Sequence, residues 1–455
     1  MAFFRPMHDM LMENKNRMSL HMPGHKGYPP FEAEPVQWMD TTELPVTDDL
    51  YAPFGPIDTA QKLMAKEAGA GHTLMLTGGS TAGILTMLLY CAQPGDTVIL
   101  PRNAHLSCMN GCILGDLHPV FVPLQSTEDG YAYAPENGFL QAIAEHKKAK
   151  AVLVTRPDFY GGAVPLARIA AAAHENNMRL IVDEAHGAHW NWMQAIPNAG
   201  RYGADLWVQS AHKTLPALTA GSWLHLAEQE DMQRARRLLR MVQTSSPAFY
   251  ILQSLDDARA FMAEKGAKAL SNLCGLLRGF RDALPSLGYA DAHSLWKDQP
   301  LDFDPTRLVI AAPQGGYALA KHLQSAGIDV EMADDRRIVC ILSVTDGEET
   351  FLRLKGALAT MIPEPVSMPA GTSTGAIAGR ALLSPRAAAL SELVQVPAEK
   401  AAGCVSGASV GLYPPGIPLV VPGEVITPEI VARLNAAPEE ARFGLQNGRF
   451  LCVKL

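Results

Sequence analysis

The feature that most constrains the fold of this sequence is the alternation of short apolar segments with helical segments between residues 72 and 227. The apolar segments have the length and composition of buried strands, and turns or amphipathic stretches separate them. They are HTLMLT (72–77), DTVILP (96–101), AKAVLVT (149–155), RLIVDEAH (179–186), ADLWVQSAHK (204–213) and GSWLHL (221–226). Strands that alternate with helices form a mostly parallel sheet with right-handed crossovers, so the pattern predicts an α/β fold.

The polar residues of this region lie where the predicted strands end. Glycine, serine and threonine follow the first strand at 78–81, Asp183 follows the apolar part of the fourth, and His212 and Lys213 end the fifth. Open α/β sheets bind ligands in the crevice at the carboxyl ends of their strands. We therefore expect a ligand site at this edge of the sheet.

The rest of the chain divides into further units. The N-terminus is rich in proline, a second and smaller α/β pattern follows a helical stretch, and a segment rich in Pro, Gly, Ser and Thr marks a linker. The predicted units are an N-terminal arm (1–40), a large cofactor-binding domain (41–270), a small α/β domain (271–365), a linker (366–382) and a C-terminal subdomain (383–455). A chain of 455 residues, 48% of them hydrophobic, is long enough for more than one core.

Charge and cysteine content exclude several classes of function. With 46 acidic and 38 basic residues, a formal net charge of −8 and no basic stripe, the chain does not resemble a nucleic-acid-binding protein. The N-terminal segment lacks the apolar core of a signal peptide, and no run reaches the ~18 apolar residues of a membrane span. The seven cysteines are scattered without the spacing of a zinc site. We expect a cytoplasmic protein with reduced thiols and no bound metal.

The loop GGSTAG (78–83) has the composition of an anion site. Its glycines allow close backbone approach, and Ser80 and Thr81 offer N–H and hydroxyl donors at the start of a predicted helix, where a phosphate is favoured. It is not a nucleotide P-loop, because no lysine follows the last glycine. Taken alone, the loop is equally an ordinary strand–turn–helix connection with a serine cap.

Asp183 and Lys213 give this loop a specific meaning. Each alone has an ordinary interpretation, since a carboxylate at a strand end can cap a helix or form a salt bridge and a lysine there is commonly on the surface. They lie thirty residues apart (213 − 183 = 30), in the order in which fold-type-I pyridoxal 5′-phosphate (PLP) enzymes present them. PLP requires a lysine for its Schiff base, a carboxylate at its ring nitrogen and donors around its phosphate. The three segments together predict a PLP site.

Longer motifs give the chain a resemblance to a known family. They are MPGHKG (22–27), TTELPVTDDLYAPFGPI (41–57), TGGSTAGI (77–84), PRNAHLS (101–107), VDEAHGAHW (182–190), ADLWVQSAHKTLPALTAGSWLH (204–225), SLDDAR (254–259), SPR (384–386) and YPPGIPLVVPGE (413–424). With these motifs the chain resembles the Orn/Lys/Arg decarboxylases of fold type I, in their shorter form without a separate wing domain. The resemblance runs nearly end to end.

The resemblance implies the roles of the site residues. Lys213 would hold PLP, either Lys213 or His212 would return a proton to the product, and Asp183 would pair with the ring nitrogen. His105, which could equally cap the helix after the second strand, would stack on the ring above Ala185. The remaining cofactor contacts would be Ser80, Thr81, His186, Ser210 and His212, with Ser246 reaching the partner's phosphate in a homodimer or higher oligomer.

The implied reaction is PLP-dependent decarboxylation of a basic amino acid, arginine first and lysine or ornithine next, to a polyamine-type amine and CO₂. Three departures from the family pattern are Gly78-Gly79-Ser80-Thr81, Pro157-Asp158-Phe159-Tyr160-Gly161 and Ser245-Ser246-Pro247-Ala248-Phe249-Tyr250. The last two lie near the expected substrate end and dimer contact, so they leave the substrate open. Candidate partners for its distal cation are Glu43, Asp48, Asp49 and Glu424, although each is also explained by capping or a solvated surface.

Two other functions remain open at this point. An aminotransferase or lyase on the same fold would need an arginine clamp on the substrate carboxylate, for which Arg386 and Arg336 are candidates. A non-catalytic regulator would keep only the fold. The presence of both Lys213 and Asp183 with the phosphate loop argues against the regulator.

Overall fold

The computed structural model of the protein describes residues 17–26, 28, 36–361, 379–413, 416–437 and 439–454. Most of the predicted arm and most of the predicted linker lie outside the described residues. The predicted boundaries between the units remain predictions, and one helix, Ala267–Ala283, runs across the boundary proposed at 270.

A seven-stranded sheet forms the centre of the large domain, and its strands are numbered here along the chain. They are β1 (His72–Leu76), β2 (Thr97–Pro101), β3 (His118–Val122), β4 (Ala151–Thr155), β5 (Arg179–Asp183), β6 (Leu206–Gln209) and β7 (Ser222–Leu226). Their order across the sheet is β1-β7-β6-β5-β4-β2-β3. Only β7 runs antiparallel to its neighbours β6 and β1, so the prediction of a mostly parallel sheet is confirmed.

Two details of the predicted strands are wrong. The edge strand β3 was missed, because HPVFV begins with a proline-containing dipeptide and is only partly buried. The strand predicted at 204–213 ends at Gln209, and Ala211–Thr214 forms one helical turn instead. The backbone N–H of Lys213 donates to the carbonyl of Ser210 across this turn. The chain therefore leaves the sheet just before the predicted lysine.

The sheet is buried on both faces, as expected for parallel strands covered by helices. Successive residues of β1 alternate between two apolar cores, with Leu74 and Leu76 in one and Met75 in the other. Ile99 and Leu100 in β2 divide in the same way. The helices of this domain are Pro56–Ala68, Gly79–Cys91, Leu106–Gly115, Glu136–Glu145, Ala167–Glu175, Ala211–Thr214, Met232–Val242 and Phe249–Phe261, and a short helix, Val36–Met39, precedes them in the arm.

The small domain is a second α/β layer with its own core. Its four-stranded sheet has the order Ala290–Asp291, Arg307–Ala311, Arg337–Ile341, Met332–Ala333. Its helices are Ala267–Ala283, Ala292–Leu295, Gly316–Ser325 and Glu348–Thr360. A π-helical turn, Met262–Gly266, joins this domain's first helix to the large domain.

The described part of the N-terminal arm connects the two domains. Its strand Met18–Leu20 pairs in parallel with Ile328–Val330 of the small domain. Farther along, the N–H of Gly24 donates to the carbonyl of His212 at 2.7 Å. A Cβ at position 24 would lie 2.8 Å from the backbone of Leu215, so only glycine allows this approach.

The C-terminal subdomain packs a small core beneath short sheets. Its helices are Pro385–Ala389, Ala398–Ala401 and Pro428–Ala436, and its strands are Leu393–Val396, Val410–Leu412, Ile417–Val420, Arg442–Phe443 and Phe450–Val453. The two shortest sheets elsewhere pair Gln125–Ser126 with Ala132–Tyr133 and Gly162–Ala163 with Asp302–Phe303. Across the described residues, no helix is both long and apolar enough to cross a membrane.

Candidate active site

A cavity of about 610 Å³ lies at the carboxyl ends of the central strands, where the sequence predicted a ligand site. The predicted site residues that line it are Ser80, Thr81, His105, Asp183, Ala185, His186, Ser210, His212 and Lys213. The arm contributes Met22, the small domain contributes Glu331 and the C-terminal subdomain contributes Tyr413. The topology thus brings together groups from the arm, both α/β domains and the C-terminal subdomain.

Lys213 enters the cavity from the helical turn that follows β6. Its Nζ lies 3.2 Å from Nε2 of His186. Burial lowers the pKa of the lysine amine, against the carboxylates of Asp183 and Glu331, which raise it. A lysine shifted in this direction supplies more of the neutral, nucleophilic amine near neutral pH.

Two neighbouring carboxylates at the end of β5, Asp183 and Glu184, have different surroundings. Asp183 lines the cavity, and its Oδ1 accepts a hydrogen bond from the N–H of Ala185 at 3.1 Å. Glu184 is fully buried and accepts from the N–H of Ala199 at 2.9 Å and from Nε2 of Gln209 at 2.7 Å. Only the first of these two neighbours is available to a ligand in the cavity.

The end of the cavity nearest β1 is built to hold an anion. The 13-residue helix Gly79–Cys91 begins there, and Gly79 takes a positive φ of 72° that favours glycine. The hydroxyl of Ser80 hydrogen-bonds to that of Ser210. Unpaired N–H groups at a helix start and clustered hydroxyls together stabilise a phosphate.

His105 fits both interpretations left open by the sequence. It is the N-cap of the helix Leu106–Gly115, where its Nδ1 accepts from the N–H of Ser107 at 3.2 Å. Its ring also lines the cavity. Burial lowers the pKa of the imidazole, although the Asp183 carboxylate raises it, so a neutral ring is available for stacking.

His212 faces the cavity as a neutral imidazole. Its Nδ1 donates to the carbonyl of Gly221 at 3.0 Å, which leaves Nε2 as the acceptor. Burial lowers the pKa of His212 to about 4. The ring can therefore accept a proton only transiently at neutral pH.

Ser246 does not line the cavity of its own chain. It is exposed, in the loop between the helices Met232–Val242 and Phe249–Phe261. Its predicted contact with the phosphate of a partner subunit remains a prediction.

The acidic residues proposed from sequence for the distal cation lie elsewhere. Asp48 accepts the backbone N–H groups of Asp49, Phe54, Gly55 and Ile57, so it organises its own loop. The carboxylate of Glu424 pairs with both terminal nitrogens of Arg102, at 2.8 and 2.7 Å. Glu43 and Asp49 also lie outside the cavity lining. The sequence could not distinguish these carboxylates from ligand-binding ones, because their partners, backbone N–H groups and Arg102, become apparent only in the folded structure.

The two arginines considered for a carboxylate clamp are also outside the cavity lining. Arg386 donates to the carbonyls of Ile113 and Leu114 at 3.1 and 3.0 Å. Arg307, a buried arginine that the sequence motifs do not mark, contacts a cavity residue. It donates to Nδ1 of His186 at 3.2 Å.

Other cavity residues were missed because they come from distant or apolar segments. They are Asn103, Thr155, Glu331 and Tyr413, among others, whereas Asp158, Phe159 and Tyr160 line the cavity within the segment that the sequence placed near the substrate end. Asn103 and Thr155 follow the rule that polar residues at strand ends reach the ligand, so that rule could have found them. No sequence signal marks Glu331, which reaches the cavity only because the small domain packs there.

The cavity fits PLP by the chemistry of its donor set. It combines a buried lysine amine, a carboxylate on the neighbouring strand and an anion-binding helix start. Among the described residues, Oδ1 of Asn103 and Oγ1 of Thr155 are buried without a hydrogen-bond partner, and both residues line the cavity. Buried polar atoms of this kind are normally satisfied in the working protein. The described residues contain no group of three or more His, Cys, Asp or Glu side chains arranged to hold a metal ion.

Comparison with known proteins gives matches along most of the chain. The family described as Orn/Lys/Arg decarboxylase, major domain, matches residues 5–308, and its C-terminal domain matches residues 382–442. "Uncharacterized protein YaaO" of Bacillus subtilis is 33% identical over 94% of this chain and 93% of its own length. "Arginine decarboxylase" of the same organism is 32% identical over 94% and 92%, respectively.

Among solved structures, the constitutive lysine decarboxylase of Escherichia coli has a TM-score of 0.79 at 18% identity. The match covers 92% of this chain and 76% of that one. At this identity the likeness shows the fold, and it confirms the predicted fold type I.

Proposed function

This chain belongs to the Orn/Lys/Arg decarboxylase family, and from that membership we propose that it decarboxylates arginine with PLP held at Lys213. It is a decarboxylase of a basic amino acid, and the fold implies PLP. Arginine is favoured because the relative named arginine decarboxylase is 32% identical to this chain, whereas the lysine decarboxylase matched by structure is 18% identical.

The observation that carries the proposal is the meeting of Lys213 and Asp183 in one cavity beside an anion-binding helix start. Few other ligands need a nucleophilic amine, an isolated carboxylate and a phosphate cradle at once. When bound, PLP supplies an electron sink for the bond that breaks at the substrate's α-carbon.

Each residue has a distinct task in this proposal. Lys213 would hold the cofactor and, once the substrate amine has displaced it and it has taken up a proton, would return that proton to the α-carbon. His212 is the alternative donor, which would also have to be protonated first. Asp183 would keep a proton on the ring nitrogen, because a nearby carboxylate stabilises the cationic form. His105 and Ala185 would enclose the ring between them.

The phosphate would be bound by Ser80, Thr81 and Ser210 at the start of the helix Gly79–Cys91. His212 would join them in its protonated form, which a neighbouring phosphate dianion stabilises. This end of the site orients the substrate, and orientation decides which bond at the α-carbon breaks. A decarboxylase must leave the departing carboxylate without a tight cationic clamp. Consistent with that requirement, neither Arg336 nor Arg386 lines the cavity.

The distal guanidinium of the substrate would be bound by Glu331. This residue lines the cavity from the small domain and is half-buried, and its Oε2 accepts the N–H of Met22 at 2.9 Å. The other cavity carboxylate beyond Asp183 is Asp158, which is already engaged by the hydroxyl of Tyr131 and by two backbone N–H groups. A planar guanidinium pairs well with a carboxylate in a desolvated cleft.

We also propose a cytoplasmic homodimer that acts in polyamine biosynthesis. Ser246 is exposed on its own chain, which leaves it free to complete the phosphate site of a partner. Co-expression of a Lys213→Ala chain with a Ser246→Ala chain tests this sharing. Mixed dimers should recover activity that neither parent has, and folded mixed dimers without any recovery would contradict a shared site.

The proposed reaction is tested by incubating the PLP-loaded protein with arginine, lysine and ornithine in turn and measuring CO₂ with agmatine, cadaverine and putrescine. Arginine should give agmatine fastest, and Lys213→Ala protein serves as the control. The proposal fails if none of the three amines forms while a neutral or acidic amino acid is decarboxylated or transaminated.

A further inference from the structure

Two buried side chains form a line that reaches Lys213 from the small domain. Arg307, at the start of the strand Arg307–Ala311, places Nη2 3.2 Å from Nδ1 of His186. Nε2 of the same imidazole lies 3.2 Å from Nζ of Lys213. Arg307 is 1% exposed and His186 is 7% exposed, so water does not compete freely for these bonds.

The direction of the hydrogen bonds along this line is fixed by chemistry. A guanidinium has five N–H donors and no acceptor, so Nδ1 of His186 must accept. A neutral imidazole whose Nδ1 accepts carries its hydrogen on Nε2. That hydrogen points at Lys213, where a protonated amine has no lone pair to receive it and a neutral amine does.

We propose that Arg307 is a positioning residue that acts through His186 to hold the amine of Lys213 in its neutral form. The inference rests on the proposed role of Lys213 as the lysine that holds the cofactor. Its consequence is that the amine needs no deprotonation before it forms or re-forms its bond to the cofactor. Arg307 contributes this without contacting cofactor or substrate.

The remaining charged groups around the line act in both directions. The carboxylates of Asp183 and Glu331 raise the pKa of Lys213, whereas burial and the guanidinium of Arg307 lower it. Burial is also the largest of the effects that lower the pKa of His186, with Lys213, Arg307, His105 and His212 adding to it. His186 is therefore neutral, as the direction of the hydrogen bonds requires.

Arg307 is held in place by further contacts besides the one to His186. Its Nη1 donates to the carbonyl of Phe159 at 3.3 Å, and its backbone N–H donates to the carbonyl of Asp304. Asp304 in turn pairs with His189 at 3.0 Å. The ring of Phe159 packs against His186 with centroids 5.2 Å apart. The line is thus a rigid connection between the small domain and the lysine.

The test is competitive labelling of the cofactor-free protein with trace acetic anhydride across a range of pH, with the Lys213 peptide quantified by mass spectrometry. Lys148, which is exposed, is the internal reference. Lys213 should be labelled at a lower pH than Lys148 in the unmodified protein. Arg307→Met should reduce labelling of Lys213 near pH 8 by about tenfold, equivalent to about one pKa unit, and Arg307→Lys should largely restore it.

A matched pair at position 186 separates the hydrogen bond from the charge of Arg307. His186→Asn places an amide near the Nδ1 position and loses the donor to Lys213, whereas His186→Gln extends an amide N–H toward the Nε2 position. We expect reduced labelling in the first variant and near-normal labelling in the second. The effects of Arg307→Met and His186→Asn should not add in the double variant, because both interrupt one line.

Nitrogen-15 NMR of His186 gives a direct second reading, with the hydrogen expected on Nε2. Hydrogen on Nδ1, or labelling profiles unchanged in both Arg307→Met and His186→Asn, would overturn the proposal. If Arg307→Met fails to fold, as judged by circular dichroism, Arg307→Lys and the pair at position 186 decide the question. Labelling uses no cofactor or turnover, so its result is independent of whether the chain decarboxylates arginine.

Discussion

The adjacent carboxylates of Asp183 and Glu184, at the end of β5, lie in regions with different functions. Asp183 faces the cavity, where Asn103 and Thr155 also hold buried polar atoms without partners among the described residues. Glu184 faces a network in which donors from Ala199 and Gln209 satisfy its oxygens. Buried polar groups are normally hydrogen-bonded. The unpaired polar atoms around Asp183 therefore indicate a ligand-binding region, whereas the paired atoms around Glu184 indicate a region that stabilises the fold.

The network around Glu184 extends far beneath the sheet. Gln209 also contacts Asn191 and His225, and His225 contacts Thr73 of β1. Burial raises the pKa of Glu184 to about 8, against the neighbouring Arg156, which lowers it. A strongly shifted pKa is therefore not by itself a sign of catalysis here, since Glu184 lies outside the cavity lining.

The largest effect that would test this division is at Lys213. Lys213→Ala should abolish turnover, by about 10⁴-fold or more, because it removes the amine proposed to hold the cofactor. The folded structure should persist, since the side chain's hydrogen bond is to His186 in the cavity. Amine product and the thermal unfolding midpoint measure the two parts. If the variant unfolds, or if it keeps substantial turnover, Lys213 does not have the proposed role in the cavity and belongs with the structural residues such as Glu184.

Asp183→Asn should come next, with turnover slowed by about 10²- to 10³-fold while PLP stays bound, as typical for loss of an electrostatic contact that stabilises the reacting state. The amide keeps an acceptor for the N–H of Ala185, so stability should change little. Retention of near-normal turnover would remove Asp183 from the mechanism.

Glu184→Ala should have the opposite signature. It removes one acceptor each from Arg156, the amide of Gln209 and the N–H of Ala199 in the interior, and we expect a loss of about 3 kcal/mol in the free energy of unfolding. The variant that remains folded should turn over at close to the normal rate per molecule. Denaturant unfolding measures the stability, and single-turnover assays measure the rate. A stable but inactive Glu184→Ala protein would contradict the separation of roles between Asp183 and Glu184.

The smallest effect is a pH dependence of stability from the network. Burial lowers the pKa of His225 to about 3, below the value of about 6.5 in an unfolded chain. The unfolded state therefore binds more protons between these values, so the stabilisation is present above pH 6.5 and is lost as the pH falls toward 3.

We expect this histidine to contribute a loss of about 2 kcal/mol between pH 6.5 and 4.5. His225→Gln should flatten the slope of unfolding free energy against pH in that window. An unchanged slope would mean that other groups cause the acid sensitivity.

The sequence predicted the part of the site whose residues follow the carboxyl ends of the predicted strands. Asp183, Lys213 and the loop at Ser80 follow from the α/β pattern, because carboxyl ends of parallel strands meet at one edge. The pattern did not reveal that Lys213 stands on a helical turn, nor the edge strand β3, since local burial decides both.

The parts that depend on packing between domains could not be predicted. Glu331 and Arg307 reach the site from the small domain, and nothing in their local sequence distinguishes them from other charged residues. For the same reason Glu424 was a plausible ligand until its partner Arg102 was known. A contact between two single side chains that are far apart in the chain leaves no repeating pattern in the sequence, so it could not be predicted.

The most direct test of the central claim is to reduce the PLP-loaded protein with borohydride, digest it and identify the modified lysine. We expect the label on Lys213, in the peptide containing SAHK. Lys26, the half-buried lysine of the N-terminal arm that donates to the carbonyl of Ile341, is the internal comparison and should stay unlabelled. A label on Lys26 or on any other lysine would contradict the assignment of Lys213.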